Sequence, residues 1–134
     1  MSKPTSSDPA GVDGAPAAAH ATAVVAVVKD LFFVARIKET ARLVGVPLSF
    51  ARSPEELESA LSVAPRFVLL DLTGAFDHDA ILSTAAAHAV PVLAFTTHAL
   101  ARETQPWHAR CARVVTKETL TRELASLLRD GVAS

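Results

Sequence analysis

Cysteine is almost absent: the 134 residues contain one, Cys111. An internal disulfide is therefore excluded, and no cysteine–histidine spacing of the zinc type is available. A reducing, cytoplasmic setting is the expectation. Long apolar runs are missing as well. None approaches the roughly 20 residues that cross a bilayer, and no hydrophobic stretch follows Lys3 to make a secretory signal. Charge of one sign is not concentrated anywhere, with 13 basic against 14 acidic residues and a formal net charge of -1. That balance argues against an electrostatic grip on nucleic acid. Neither nucleic acid nor a membrane is expected as a partner.

Phosphate-cradling glycines are also lacking. The first apolar run is followed by Lys29-Asp30-Leu31-Phe32-Phe33, with neither a dinucleotide nor a P-loop fingerprint. No GxSxG elbow and no Ser/His/Asp order is present. A flavin site would need a phosphate-binding loop after that run, and a cobalamin site a DxHxxG element; both are missing. No enzymatic activity is expected.

What is present is a regular alternation. Half the residues are hydrophobic and a fifth charged, as in one soluble globular domain with a core of its own. Residues 1–21, rich in Ser, Pro, Gly and Ala, read as a disordered leader. The folded domain is expected over 22–131. A β-branched strand over Thr22–Val28 is followed by a helix whose stripe is Phe33, Ile37, Ala41 and Val44, stopped by Gly45. A weaker edge strand over Val46–Ala51 contains Pro47. Ser53-Pro54-Glu55-Glu56 then carries an N-cap, a proline at the first helical position and a capping box. The run Phe67–Leu70 reads as a strand buried on both faces and ends on Asp71. Asp77 caps a helix to about Ala89, and Pro91–Phe95 is a fourth strand. A helix from about Ala99 should end or kink near Gln105, because Pro106 comes next. Arg113–Val115 is a short fifth strand, and one last helix covers roughly Glu118–Arg129. Five β-α units with short connections predict an α/β fold with a parallel sheet and helices on both faces.

Open sheets of this kind build sites where the strands run out at their carboxyl ends. The residues there are Lys29 and Asp30, Asp71, Thr96 and Thr97, and Lys117. Paired carboxylates, Asp30 and Asp71, repel one another and invite a cation such as Mg²⁺. A hydroxyl and an ammonium aimed at one point would stabilise a transferred phosphoryl oxygen. A carboxylate can itself be a covalent nucleophile for phosphate.

With VLLDL (68–72), PVLAFTTHA (91–99) and VVTKE (114–118) at these spacings, residues 22–130 resemble the receiver domain of bacterial two-component response regulators. The resemblance implies a flavodoxin-like (βα)5 three-layer sandwich with strand order 2-1-3-4-5. It implies that Asp71 matches the phosphoacceptor, Thr96 the switch hydroxyl and Lys117 the phosphoryl-binding lysine. Asp30 matches one member of an acidic metal-binding pair, with Mg²⁺ shared by Asp30 and Asp71.

Several positions depart from that pattern. Lys29 stands where the second acid belongs, and its ammonium is expected to pair with Asp71 and take the space of the metal. Val114 replaces the aromatic switch residue, Glu118 replaces proline after the lysine, and Ala75 replaces a loop proline. Thr97 replaces a small residue beside the switch threonine and is expected to narrow the pocket. The resulting expectation is a degenerate, stand-alone pseudo-receiver without a cofactor, acting as a signalling or adaptor module through protein contacts. The alternative is a working response regulator phosphorylated on Asp71 with Mg²⁺. The partner is a protein, a histidine kinase or a downstream signalling protein among the options, and a homodimer is a further one. Trp107 reads equally as core or as an interface anchor. The five histidines show no ligand spacing and read as surface or helix-face imidazoles, and Cys111 reads as buried and inert.

Overall fold

The computed structural model describes residues 23–132. The leader expected over 1–21 lies outside the described residues. Five parallel strands form one sheet in the order β2-β1-β3-β4-β5. They are β1 (Val24–Val27), β2 (Leu48–Phe50), β3 (Phe67–Asp71), β4 (Val92–Thr96) and β5 (Arg113–Thr116). Between and after them run α1 (Leu31–Val44), α2 (Pro54–Leu61), α3 (His78–Ala87), α4 (Ala101–His108), α5 (Lys117–Arg122) and α6 (Leu124–Asp130). This is the doubly wound, flavodoxin-like order expected from the sequence.

Strands β1, β3 and β4 are buried along their whole length, whereas β2 and β5 are half-exposed edges. Alternate residues of the central strands feed two cores. Val24, Ala26, Phe67, Leu69, Leu93 and Phe95 meet Phe33, Ile37 and Ala41 of α1 and the leucines of α5 and α6. Val25, Val27, Val68, Leu70, Val92 and Ala94 meet Leu57 and Leu61 of α2 and Ile81, Leu82 and Ala85 of α3. Burial of such aliphatic side chains contributes roughly 1.5–3 kcal/mol each. The sheet is therefore fixed in register from both sides, and so are its carboxyl ends.

Local chemistry explains the helix ends. Asp30 Oδ1 accepts from Phe32 N at 3.0 Å and Phe33 N at 3.2 Å, and Gly45 closes α1 at φ 72°. At α2, Ser53 Oγ accepts from Glu56 N at 3.1 Å while Glu56 Oε1 accepts from Arg52 N at 2.8 Å. The Glu56 carboxylate thus reaches back one residue beyond the cap. Asp77 caps α3 and Thr116 caps α5.

Two expectations need correction. The fourth helix does not stop at Gln105: α4 runs through Pro106 to His108. Pro106 stands at the sixth of eight positions, so its missing N–H removes one bond close to the helix end. Trp107, packed on His78 with ring centroids 5.0 Å apart, holds the last turn against the core. The final helix is not continuous either. It unwinds at Glu123 (φ -113°, ψ 20°), although Glu123 N still bonds Thr119 O and Leu127 N still bonds Glu123 O, each at 2.9 Å. Neighbouring side chains point apart in a regular helix. The 3.2 Å ion pair between Arg122 and Glu123 accompanies that unwinding.

Candidate functional site

Register brings the polar strand ends to one edge. Val27 pairs with Leu70, Asp71 with Phe95, and Thr96 with Thr116, so Lys29-Asp30, Asp71, Thr96-Thr97 and Lys117 all lie at or just past the carboxyl ends of adjacent strands. Their side chains, however, divide into separate groups.

Asp71 is only 7% exposed. Its Oδ1 accepts from Thr73 N at 2.8 Å and Thr73 Oγ1 at 2.6 Å. No donor among the described residues bonds Oδ2. Gly74 leaves room beside that oxygen: a Cβ there would stand 3.4 Å from Asp71 Oδ2 and 2.7 Å from the Phe76 ring. The carboxylate is oriented through one oxygen and open at the other.

Asp30 is placed differently. Both its oxygens are engaged: Oδ1 caps α1, and Oδ2 accepts from Lys117 Nζ at 3.4 Å. The Phe33 amide, and after it the Lys117 charge, hold this carboxyl below its ordinary value. Lys117 Nζ also lies 5.0 Å from the centroid of Phe33, which packs edge-on against Phe95.

Lys29 does not pair with Asp71, contrary to expectation. Its Nζ donates to Ala75 O at 2.7 Å and sits 4.6 Å from the Phe76 ring centroid. A long, flexible stem lets the ammonium choose among acceptors. Here it takes a carbonyl and an aromatic face in the loop after β3. Thr96 is buried, and its hydroxyl bonds Thr104 Oγ1 at 2.9 Å, which in turn bonds His108 Nε2 at 2.9 Å. The threonine is thus tied to α4. Thr97 Oγ1 accepts from Leu100 N at 3.2 Å and caps the turn into α4.

His78 is a structural residue that the sequence alone does not single out. It is buried between Phe76 and Trp107, with Nε2 3.1 Å from Asp71 O. Its signal is positional: His78, Ile81, Leu82 and Ala85 fall on one helical stripe, and that stripe faces inward. Trp107 is half-buried on the same cluster. Burial pushes the Cys111 thiol up to about 11, which leaves little thiolate at neutral pH.

Magnesium favours a near-octahedral set of oxygen ligands. As arranged, this edge offers one open carboxylate oxygen, on Asp71, while Asp30 is engaged twice and two ammonium groups stand nearby. No cluster of three or more His, Cys, Asp or Glu suited to a metal occurs among the described residues. Asp71 Oδ2 is the carboxylate oxygen left to receive such an ion, and Asp30 Oδ2 could join it only where Lys117 gives way.

No protein-family model and no curated protein sequence matches the chain. Solved structures do. The receiver domain of the sensor histidine kinase PA1611 from Pseudomonas aeruginosa PAO1, which holds magnesium in its active-site cleft, has a TM-score of 0.66 at 19% identity, covering 85% of this chain and 99% of that one. The chemotaxis response regulator CheY4 of Vibrio cholerae has a TM-score of 0.63 at 17% identity, covering 80% and 98%. A de novo designed Rossmann 2x3 protein also matches, with a TM-score of 0.60 at 12% identity over 84% and 93%. The fold is that of the response-regulator receiver domain. The likeness to a designed protein shows that such matches fix architecture and leave function to the site. No helix is long and apolar enough to cross a membrane among the described residues.

Proposed function

We propose that this chain is a receiver-like signalling or adaptor domain of the two-component type, acting through protein–protein contacts, with a phosphorylation pocket altered by Lys29 and no obligatory phosphoryl switch. The observation that carries this reading is the double engagement of Asp30, by the α1 amides and by Lys117. A metal on Asp30 Oδ2 would have to displace the Lys117 ammonium, while Oδ1 stays with the helix cap. The Thr96 hydroxyl is likewise committed to Thr104, and Val114 offers no aromatic ring to report its movement. The partner is a protein, and the exposed side of α4 with its half-buried Trp107 is the proposed contact face. Contact through a face needs no phosphoryl transfer.

A second reading has its own support in the open Oδ2 of Asp71. In that reading Asp71 attacks an acyl phosphate or a phosphohistidine, the new O–P bond forms, and acetate or imidazole leaves. Acetyl phosphate and Mg²⁺ distinguish the two. Under the adaptor reading the intact mass of the protein stays unchanged, and beryllium fluoride with Mg²⁺ leaves the fluorescence of Trp107 unaltered. A Mg²⁺-dependent mass gain that vanishes in Asp71→Asn would establish the second reading instead.

A further inference from the structure

A cavity of about 560 Å³ opens between α1, the end of β2 and the start of α2, bordering the carboxyl edge of the sheet. Its floor is apolar: Val28 at the end of β1, Val34 of α1 and Phe50 of β2. Leu31, 80% exposed, stands at its rim. Three cations surround this floor, namely Lys29, Lys38 and Arg52, against a single acid, Glu56. That acid is already held by the capping hydrogen bond from Arg52 N, and the Arg52 guanidinium lies a loose 3.9 Å from it with its side chain 73% exposed. Lys38 Nζ stands 5.7 Å from the Phe50 centroid with no carboxylate partner among the described residues. Lys29 bonds only a neutral carbonyl, that of Ala75. The cavity therefore combines wet apolar surface with positive charge that the protein itself leaves unmatched.

We propose that this cavity binds a small anionic amphiphile, its aromatic or aliphatic body on Val28, Val34 and Phe50 and its carboxylate or phosphate between Lys38 and Arg52. The volume lies within the ordinary range of small-molecule sites. A ligand without the anionic group leaves the cations unmatched, and one without the apolar body leaves Leu31 and Phe50 wet. The inference shares only Lys29 with the edge around Asp71 and is read by binding rather than by phosphorylation, so its failure and that of the adaptor reading are distinguishable.

The test uses the full chain and four probes: 1-naphthoate, 1-naphthyl phosphate, neutral 1-naphthalenemethanol and inorganic phosphate. Binding is followed by amide chemical shifts in two-dimensional NMR. Both naphthyl anions should saturate and should shift Val28, Val34 and Phe50 most, and the tighter of the two shows which head group the site prefers. The alcohol and inorganic phosphate should each bind about tenfold more weakly or worse. Lys38→Met and Arg52→Met, which keep the apolar stems of two exposed side chains, should each weaken the anions several-fold while the rest of the spectrum holds. Should the Arg52 variant fail to fold, Lys38→Met alone decides. Equal binding of the alcohol, unchanged affinity in Lys38→Met, shifts centred elsewhere, or no saturation at millimolar probe would each overturn the proposal.

Discussion

Two acids close two buried strands of the same sheet, and the structure treats them in opposite ways. Asp30 comes after β1 with only one intervening pair, Val28-Lys29, and the helix starts at the next residue. Its carboxylate is therefore at the N-cap, where free amides await an acceptor. Asp71 ends β3, and α3 begins only at His78, capped by Asp77. No helix competes for the Asp71 side chain. A single nearby loop residue, Thr73, fixes one oxygen, and the other is left open. An acid at a strand end is thus made available or unavailable by the residues immediately after it. The length of the next loop decides between a cap and an oxygen left without a donor.

The contrast can be broken or sharpened by mutation. The largest effect is expected from Lys29→Asp, which removes an ammonium from the edge and adds a carboxylate beside Asp30. Magnesium affinity, measured by calorimetric titration, should rise about tenfold or more. No gain would mean that the cap on Asp30, and not the charge at Lys29, keeps the metal away. A smaller effect is expected on stability. Asp30→Ala should lower the melting temperature by about 5 °C through loss of the cap. Asp71→Asn should change it by about 2 °C or less, because the amide oxygen still accepts from Thr73. Equal losses in the two variants would erase the distinction between the acids.

The smallest effect concerns pH. The Asp30 carboxyl is held below its ordinary value of 3.8 in the folded chain. A depressed folded value contributes stability that is complete above the unfolded value and fades as pH falls through the folded one. The gap in melting temperature between wild type and Asp30→Ala should therefore narrow as the pH drops below that ordinary value. A gap constant down to strong acid would show that the carboxylate form adds nothing at the cap.

The architecture was legible because it rests on short-range signals. The stripe of Phe33, Ile37 and Ala41, the Ser53 capping box and the uniformly apolar β3 and β4 each dictate one local structure, and the resemblance carried by the strand-end motifs supplied the sheet order. Positions at the strand ends came with that order. The end points of the long side chains did not. Lys29 and Lys117 each have several acceptors within reach, and their choice depends on Ala75, Phe76 and Asp30, which the fold alone brings close. Likewise the link from Thr96 through Thr104 reaches His108 only because α4 continues past Pro106, and a proline read in isolation predicts the reverse. The unwinding at Glu123 has no glycine or proline to announce it.

Arg66 carries a last consequence. Its backbone N–H bonds Ala23 O at 2.8 Å at the entrance to β1, and its guanidinium donates to Leu128 O at 2.8 Å and to Arg129 O at the close of α6. One residue thus gathers the first and last turns of the described fold beneath the sheet, opposite the rim that carries Asp71. The first and last described residues, Ala23 and Val132, thus lie on the side of the sheet away from Asp71, so a fluorophore attached at either leaves the upper rim clear, and a short bridge between the two would allow the backbone to be reopened elsewhere.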